Sequence, residues 1–269
     1  MVSVIIPTKN SSGTLQTCLT SIKNQTYKNI EIIVVDNYSK DDTQQIAKNF
    51  TDLVFTINPE RSTQVNYGVE KASGKYIYRV DSDVVLDSEV VREAVDLAES
   101  KNYGAVLIHN TSDPTISYWA KIRKFERDMY DTDETNVAVR FIKRDIFISL
   151  GGFDSRLSFG EDYDLHNRII EKYSIGKINA KEMHLGEYKT LLEVAKRNYY
   201  YGKFVRRFLK RNKSRGLKQL NPFRRSYFSN IDKFVKNPDL TIGFIVYQIV
   251  RYVSGVLGLL DSIITGKVE

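Results

Sequence analysis

Apolar positions recur along this chain with two periods. Val2-Ser3-Val4-Ile5-Ile6 is a nearly continuous apolar run ending at Pro7, the pattern of a strand buried on both faces. A polar loop over 8–13 follows. Leu15, Cys18, Leu19 and Ile22 then recur at helical spacing and predict a helix with one inward face. Residues 30–35 are a second β-branched run, stopped by Asp36-Asn37-Tyr38-Ser39, and Ser39 or Asp41 can cap a helix over 42–50. A short strand is predicted over 53–57. A helix over 62–73 turns Val65, Val69 and Ala72 inward and stops at Gly74. Lys75 to Asp83 reads as a strand ending in two carboxylates, Asp87 as the cap of a helix reaching about Lys101, and 104–109 as another strand. Strands alternating with helices over 110 residues imply βαβ units: an α/β, Rossmann-like fold, its mostly parallel sheet flanked by helices. Ligands of such sheets bind outside the carboxyl ends of the strands, where the strand order reverses.

The second half is less regular. A helix is expected over 117–129, with Trp119, Ile122 and Phe125 on one side, and a strand over 137–142. Gly151-Gly152-Phe153-Asp154 is a tight turn, and Glu161-Asp162 opens a helix that turns Leu165, Ile169 and Ile170 inward. A long helix is expected from about Thr190 through a basic run. The apolar segment 240–264, which carries Gln248, Arg251 and Asp261, closes the pattern.

With 269 residues, 42% of them hydrophobic, the chain can bury a large core. Its single cysteine, Cys18, excludes an internal disulfide and fits the helix core face. The first residues carry no charged stretch followed by a long apolar one, so no signal peptide is expected. The net charge of +7 is local: residues 203–225 hold ten Lys and Arg and no acid. That segment calls for a polyanionic surface or ligand. An arginine in the middle of 240–264 is costly in a spanning helix. An interfacial helix suits it as well, and the basic run upstream favours membrane contact over simple docking on a core.

Three Asp-x-Asp patterns carry candidate chemistry. Asp131-Thr132-Asp133 has no strand before it and reads as solvated. Asp162-Tyr163-Asp164 opens a helix, where i and i+2 do not share a face. Only Asp81-Ser82-Asp83 follows a strand, whose alternation aims both carboxylates the same way, toward a divalent cation or a nucleotide. Asp36 ends another strand. Neither a G-x-G-x-x-G after the first strand nor a P-loop is present, which argues against a dinucleotide site and a P-loop NTPase.

These residues resemble a family. Val2 to Asn10, Ile33 to Ser39, Asp81-Ser82-Asp83, Gly151 to Asp154 and Gly160-Glu161-Asp162 come in the order and spacing of family 2 glycosyltransferases. The resemblance covers about residues 1–190 and implies a GT-A catalytic domain there, with 191–269 a basic helical and apolar extension. It implies that Pro7, Thr8, Asn10, Asp36, Arg61, Asp81, Ser82 and Asp83 bind a nucleotide-sugar donor. Asp83, with Asp81 and His184, would ligate Mg²⁺ or Mn²⁺. Asp162 would be the catalytic base with Glu161 beside it, and the anomeric centre would be inverted. Asp-Asn-Tyr-Ser stands where Asp-Asp-Gly-Ser is commoner, and Val84 where a third acid often follows. The Gln-x-x-Arg-Trp motif of processive synthases is absent, so one sugar per encounter is expected. The acceptor would be a glycan or lipid-linked hydroxyl, and the location the cytoplasmic side of the cell membrane, peripheral or anchored by the last helix. Competing expectations are transfer to a polyprenyl phosphate, which needs no base, nucleic-acid binding by 203–225, and nucleotidyl transfer. Nucleic-acid binding leaves the strand-end carboxylates unexplained, and nucleotidyl transfer lacks its Gly-rich phosphate loop.

Overall fold

The computed structural model describes residues 1–58, 61–132 and 137–266. Asp133, of the first acidic pattern, lies outside them. The chain divides into two compact units that interleave along the sequence. The first comprises residues 1–110, 138–156 and 161–186, and the second 111–137, 157–160 and 187–269.

The first unit is built on a sheet. Its strands are β1 (Val2–Thr8), β2 (Ile30–Asp36), β3 (Val54–Thr56), β4 (Tyr76–Arg79), β5 (Val84–Leu86), β6 (Ala105–Ser112, running on into the second unit), β7 (Phe141–Lys143) and β8 (Ile175–His184). The order is β3-β2-β1-β4-β7-β6-β8-β5. β3, β2, β1 and β4 run parallel, whereas β7 is antiparallel to β4 and to β6, and β5 to β8. β1 is buried along its whole length, which is why it reads as an apolar run. Helices α1 (Leu15–Lys23), α2 (Thr43–Lys48), α3 (Arg61–Lys71) and α4 (Val90–Ser100) alternate with these strands, and α5 (Tyr118–Arg127) follows β6. Leu15, Cys18, Leu19 and Ile22 of α1 join Val2, Val4 and Ile6 in one cluster, while α3 packs on β1 and β2. Burial pushes the Cys18 thiol up to about 12, so it is an inert core group. Helices α6 (Arg144–Ser149) and α7 (Glu161–Ile170) complete this unit.

Three expectations change here. The strand expected over 75–83 ends at Arg79, and β5 is a separate strand paired with β8. The strand expected from Val137 begins at Phe141. Asp87 does not cap α4. Its carboxylate accepts the Lys181 N–H at 2.9 Å, a bond that the β5–β8 pairing makes available.

The second unit is helical, with α5, α8 (Leu191–Gly202), α9 (Val205–Leu220), α10 (Arg225–Phe228), α11 (Ile231–Lys236) and α12 (Pro238–Thr265). Thr190 and Glu193 form the capping box of α8. The single helix expected from Thr190 is broken. α8 ends at Gly202, and α9 kinks at Lys213, where φ is 42° and ψ −123°. Phe208, inside the basic run, is fully buried against Phe159, and Arg224 is buried too. The core holds Ile122, Met129, Val194, Phe244 and Tyr247 around Glu126. Glu126 accepts from Arg123, from Arg251 at 2.9 Å, and from the hydroxyls of Tyr130 and Tyr227. Burial opposes its charge, yet the guanidinium groups of Arg123, Arg251 and Arg224 hold it well below the usual carboxylate range.

Candidate active site

All eleven residues singled out in the sequence lie in the first unit. The sheet topology explains where they meet. The chain lays β2 and β3 on one side of β1, then places β4 on the other, so strand order reverses between β1 and β4. The β1–β2 register runs on to Thr8 opposite Asp36, but the β1–β4 register stops at Ile5 opposite Arg79. The sheet forks there. Pro7, with no N–H to donate, stands beyond the last β1–β4 register pair.

On the β2 side of the fork, the buried Asp36 carboxylate receives four hydrogen bonds. Thr8 Oγ1 donates at 2.9 Å, Ser39 N–H at 2.9 Å, Ser39 Oγ at 2.5 Å and Gln44 Nε2 at 2.8 Å. Asn10, at φ 49°, donates its N–H to Ser39 Oγ and accepts the Lys40 N–H, which ties the two loops together. Tyr38 also holds a left-handed backbone, φ 47°, and the residue is 62% exposed. That conformation explains why glycine is commoner at this position, because a Cβ there costs about 1–2 kcal/mol. Gln64 of α3, buried, donates to the carbonyls of Thr8 and Val35.

On the β4 side the Asp-x-Asp carboxylates part company. Asp81 faces arginines: Arg79 Nη2 at 3.1 Å, Arg140 Nη1 at 3.4 Å and Arg61 Nη1 at 3.8 Å. Burial opposes its charge, but these guanidinium groups hold the Asp81 carboxyl far below its ordinary value. Arg79 is 4% exposed, and its Nε finds no hydrogen-bond partner among the described residues. Arg140 also reaches Glu182 at 2.7 Å, and Glu182 accepts from Tyr78 and Asn110 at 2.7 Å each. Arg61 bridges onward to Glu161, and Asp162 is among the charges acting on Arg79 and Arg140. Ser82 Oγ donates to Ser11 Oγ at 2.9 Å.

Asp83 pairs with His184, with Oδ2 and Nε2 3.4 Å apart. The β5–β8 pairing sets Val84 opposite His184, and the Leu185 N–H donates to the Asp83 carbonyl at 2.7 Å. A Cβ at Gly186 would collide with Asp83 Oδ2, so a side chain there would push that carboxylate from its present position. Among the described residues no three His, Cys, Asp or Glu side chains gather as a metal site. The donor set nevertheless suits Mg²⁺ or Mn²⁺: one carboxylate and one imidazole, with substrate phosphates and water completing the shell. The sequence reading missed Arg79, Arg140, Glu182 and Gly186, which carry no local motif. An arginine in an otherwise apolar β4 was the one available signal.

The family described as Glycosyl transferase family 2 matches residues 3–151 of this chain. The chain belongs to glycosyltransferase family 2. An uncharacterised glycosyltransferase of Rickettsia typhi is 24% identical over 191 residues, 65% of this chain and 60% of that protein. The glycosyltransferase GlyA of Streptococcus pneumoniae is 32% identical over 157 residues, 49% of this chain and 22% of that protein. These matches therefore span less than two thirds of either relative. Among solved structures, the Pyrobaculum calidifontis mannosyltransferase PcManGT with GDP-Man and Mn²⁺ is similar, with a TM-score of 0.63 and 16% identity over 99% of this chain and 87% of that one. Staphylococcus aureus TarS 1–349 with UDP-GlcNAc gives a TM-score of 0.61 and 15% identity over 98% and 92%. This family 2 chain thus has the GT-A fold, as the resemblance implied.

Proposed function

We propose that the protein moves one sugar from a nucleoside-diphosphate donor to a hydroxyl of a glycan or lipid-linked acceptor, with inversion and with Mg²⁺ or Mn²⁺. The observation that carries this reading is the Asp83–His184 pair at the fork of a family 2 sheet, beside the Asp81–Arg61–Glu161 cluster. Asp83 and His184 would hold the cation together with the donor diphosphate. The cation supplies Lewis-acid neutralisation of the charge that grows on the leaving diphosphate. Arg61, 43% exposed on its side chain and already between two carboxylates, would turn to the phosphates. Asp81, kept ionised by Arg79 and Arg140, would receive the ribose hydroxyls. Asp36 would meet the base by giving up one donor, the Gln44 amide being the freest to swing away. Asp162 would take the acceptor's proton as its oxygen attacks the anomeric carbon opposite the leaving group.

The basic run and the apolar α12 support action at the cytoplasmic side of the cell membrane. The same run favours a second reading, an anionic polyprenyl phosphate acceptor, for which Asp162 would be dispensable. The test is a thermal-shift series with UDP-, GDP- and TDP-sugars, with and without Mn²⁺. The donors named for TarS and PcManGT make the uridine and guanosine arms the first to run. Stabilisation by one nucleotide class, enlarged by Mn²⁺, is expected. No stabilisation by any donor would sink the reading.

A further inference from the structure

α12 is long and apolar enough to cross a membrane: it has 28 residues, and an 18-residue stretch of it has a mean hydropathy of 1.6. Its two faces differ. The inward face carries Phe244 and Tyr247, and Arg251, whose Nη1 donates to the fully buried Glu126 at 2.9 Å. Gln248 Nε2 reaches the Tyr227 hydroxyl, and Lys203 pairs with Asp261 at 2.7 Å. The backbones of α8 and α12 touch: a Cβ at Gly258 would collide with the Tyr199 carbonyl, and one at Gly202 with the Gly255 carbonyl. The outward face is different. Ile242, Ile245, Ile249, Val253, Leu260 and Ile263 are all exposed. At 100° per residue they fall within an arc of about 80°. Arg251 and Asp261 lie off that arc. α11 packs against α12 and exposes Ile231 and Val235 in the same unit.

From these observations we propose that α12 lies flat in the interface of an anionic bilayer, one face in the acyl boundary and the other on α5 and α8, and does not span. The proposal rests on the membrane-face reading above and fixes its geometry. A spanning α12 would have to shed α8 and carry Arg251 into hydrocarbon without Glu126, a large cost. An in-plane α12 keeps that pair and buries only the uncharged arc, the arrangement of an interfacial helix. The occupant is argued from charge. The same unit carries a run of ten Lys and Arg with no acid, nine of them outside the buried set, complementary to an anionic headgroup layer. Exposed Leu217 and Phe223 within that run can insert beside it.

The experiment uses the full chain and vesicles of phosphatidylcholine with or without phosphatidylglycerol. Cysteines replace Ile242, Ile249, Val256 and Ile263 one at a time and carry a fluorophore. The buried Cys18 does not compete for label. Nitroxide lipids at two depths then quench the probe. The in-plane helix gives all four probes one shallow depth, about 5–10 Å below the headgroups. A spanning helix gives a profile in which the end probes are shallow and the central ones near the bilayer centre, since 21 residues cover about 31 Å. That profile overturns the proposal while leaving membrane association intact. Ile249→Glu should weaken binding roughly tenfold or more, with nucleotide thermal shifts unchanged. Absence of binding to anionic vesicles would overturn both the geometry and the membrane-face reading, as would a stable dimer in sedimentation that protects these four cysteines from label.

Discussion

The two carboxylates of Asp81-Ser82-Asp83 should fail differently when neutralised. Asp81→Asn keeps the side-chain shape and removes the charge that faces Arg79, Arg140 and Arg61. Arg79 is buried and Asp81 is its ion-pair partner, so it would be left desolvated and uncompensated. Breaking a buried pair from one side costs about 3–5 kcal/mol. The Arg61 contact, long and well exposed, adds under about 1 kcal/mol. Asp83 is 29% exposed on its side chain, and its partner His184 is also partly in solvent. Neutralising Asp83 therefore costs about 0–1 kcal/mol of stability. For a chain of this size each kcal/mol moves Tm by about 2–4 °C. Asp81→Asn should therefore melt about 6–20 °C below the parent chain, and Asp83→Asn within about 4 °C of it. Mn²⁺-dependent stabilisation by a nucleotide should vanish in Asp83→Asn. The assay is calorimetry or dye-monitored melting of both variants, with and without Mn²⁺ and nucleotide. An Asp81→Asn protein that melts with the parent, or an Asp83→Asn protein that melts lower than Asp81→Asn, would refute the division of labour.

Other outcomes follow from the same geometry. Because the folded Asp81 carboxyl titrates far below its ordinary value near 4, the unfolded chain binds the extra proton first as pH falls. The stabilisation from its ion pairs is then complete above about pH 5 and lost progressively below it, so the gap in urea midpoint between the parent chain and Asp81→Asn should narrow steadily as pH falls below about 4. Asp162→Asn should lower kcat by about 10²–10⁴ with donor binding kept if the acceptor is a hydroxyl. Near-parent turnover would favour a phosphate acceptor. Gly186→Ala should weaken Mn²⁺ binding roughly tenfold or more by displacing Asp83, measured by titration calorimetry with nucleotide present. Tyr38→Gly should raise stability by about 1 kcal/mol in urea unfolding by releasing the left-handed strain. An unchanged midpoint would mean that the strain is offset elsewhere.

Much of this molecule is written locally. The apolar runs of β1 and β2 mark buried strands because a strand covered on both faces has no polar side to alternate with. The helical spacing of α1, α3 and α4, and the acids at the ends of β2 and β4, follow from periods of 3.6 and 2 that need no knowledge of the rest of the chain. Those signals were enough for the α/β class, and the motifs between them for the family resemblance and the eleven residues it implies, all of which lie in one unit. What the tertiary structure decided is which groups face them. Arg140 meets Asp81 because antiparallel β7 lies beside β4, with the Arg79 N–H donating to the Arg140 carbonyl at 3.0 Å. His184 and Gly186 meet Asp83 because β8 turns back along β5. Both pairings join segments many tens of residues apart, and no local period records them. The strand expected to carry Asp81 and Asp83 ends at Arg79, and past it the first carboxylate pairs with arginines and the second with His184. Likewise the hydropathy of α12 alone allows a span, but a buried glutamate on α5, holding Arg251, ties one face of that helix to protein.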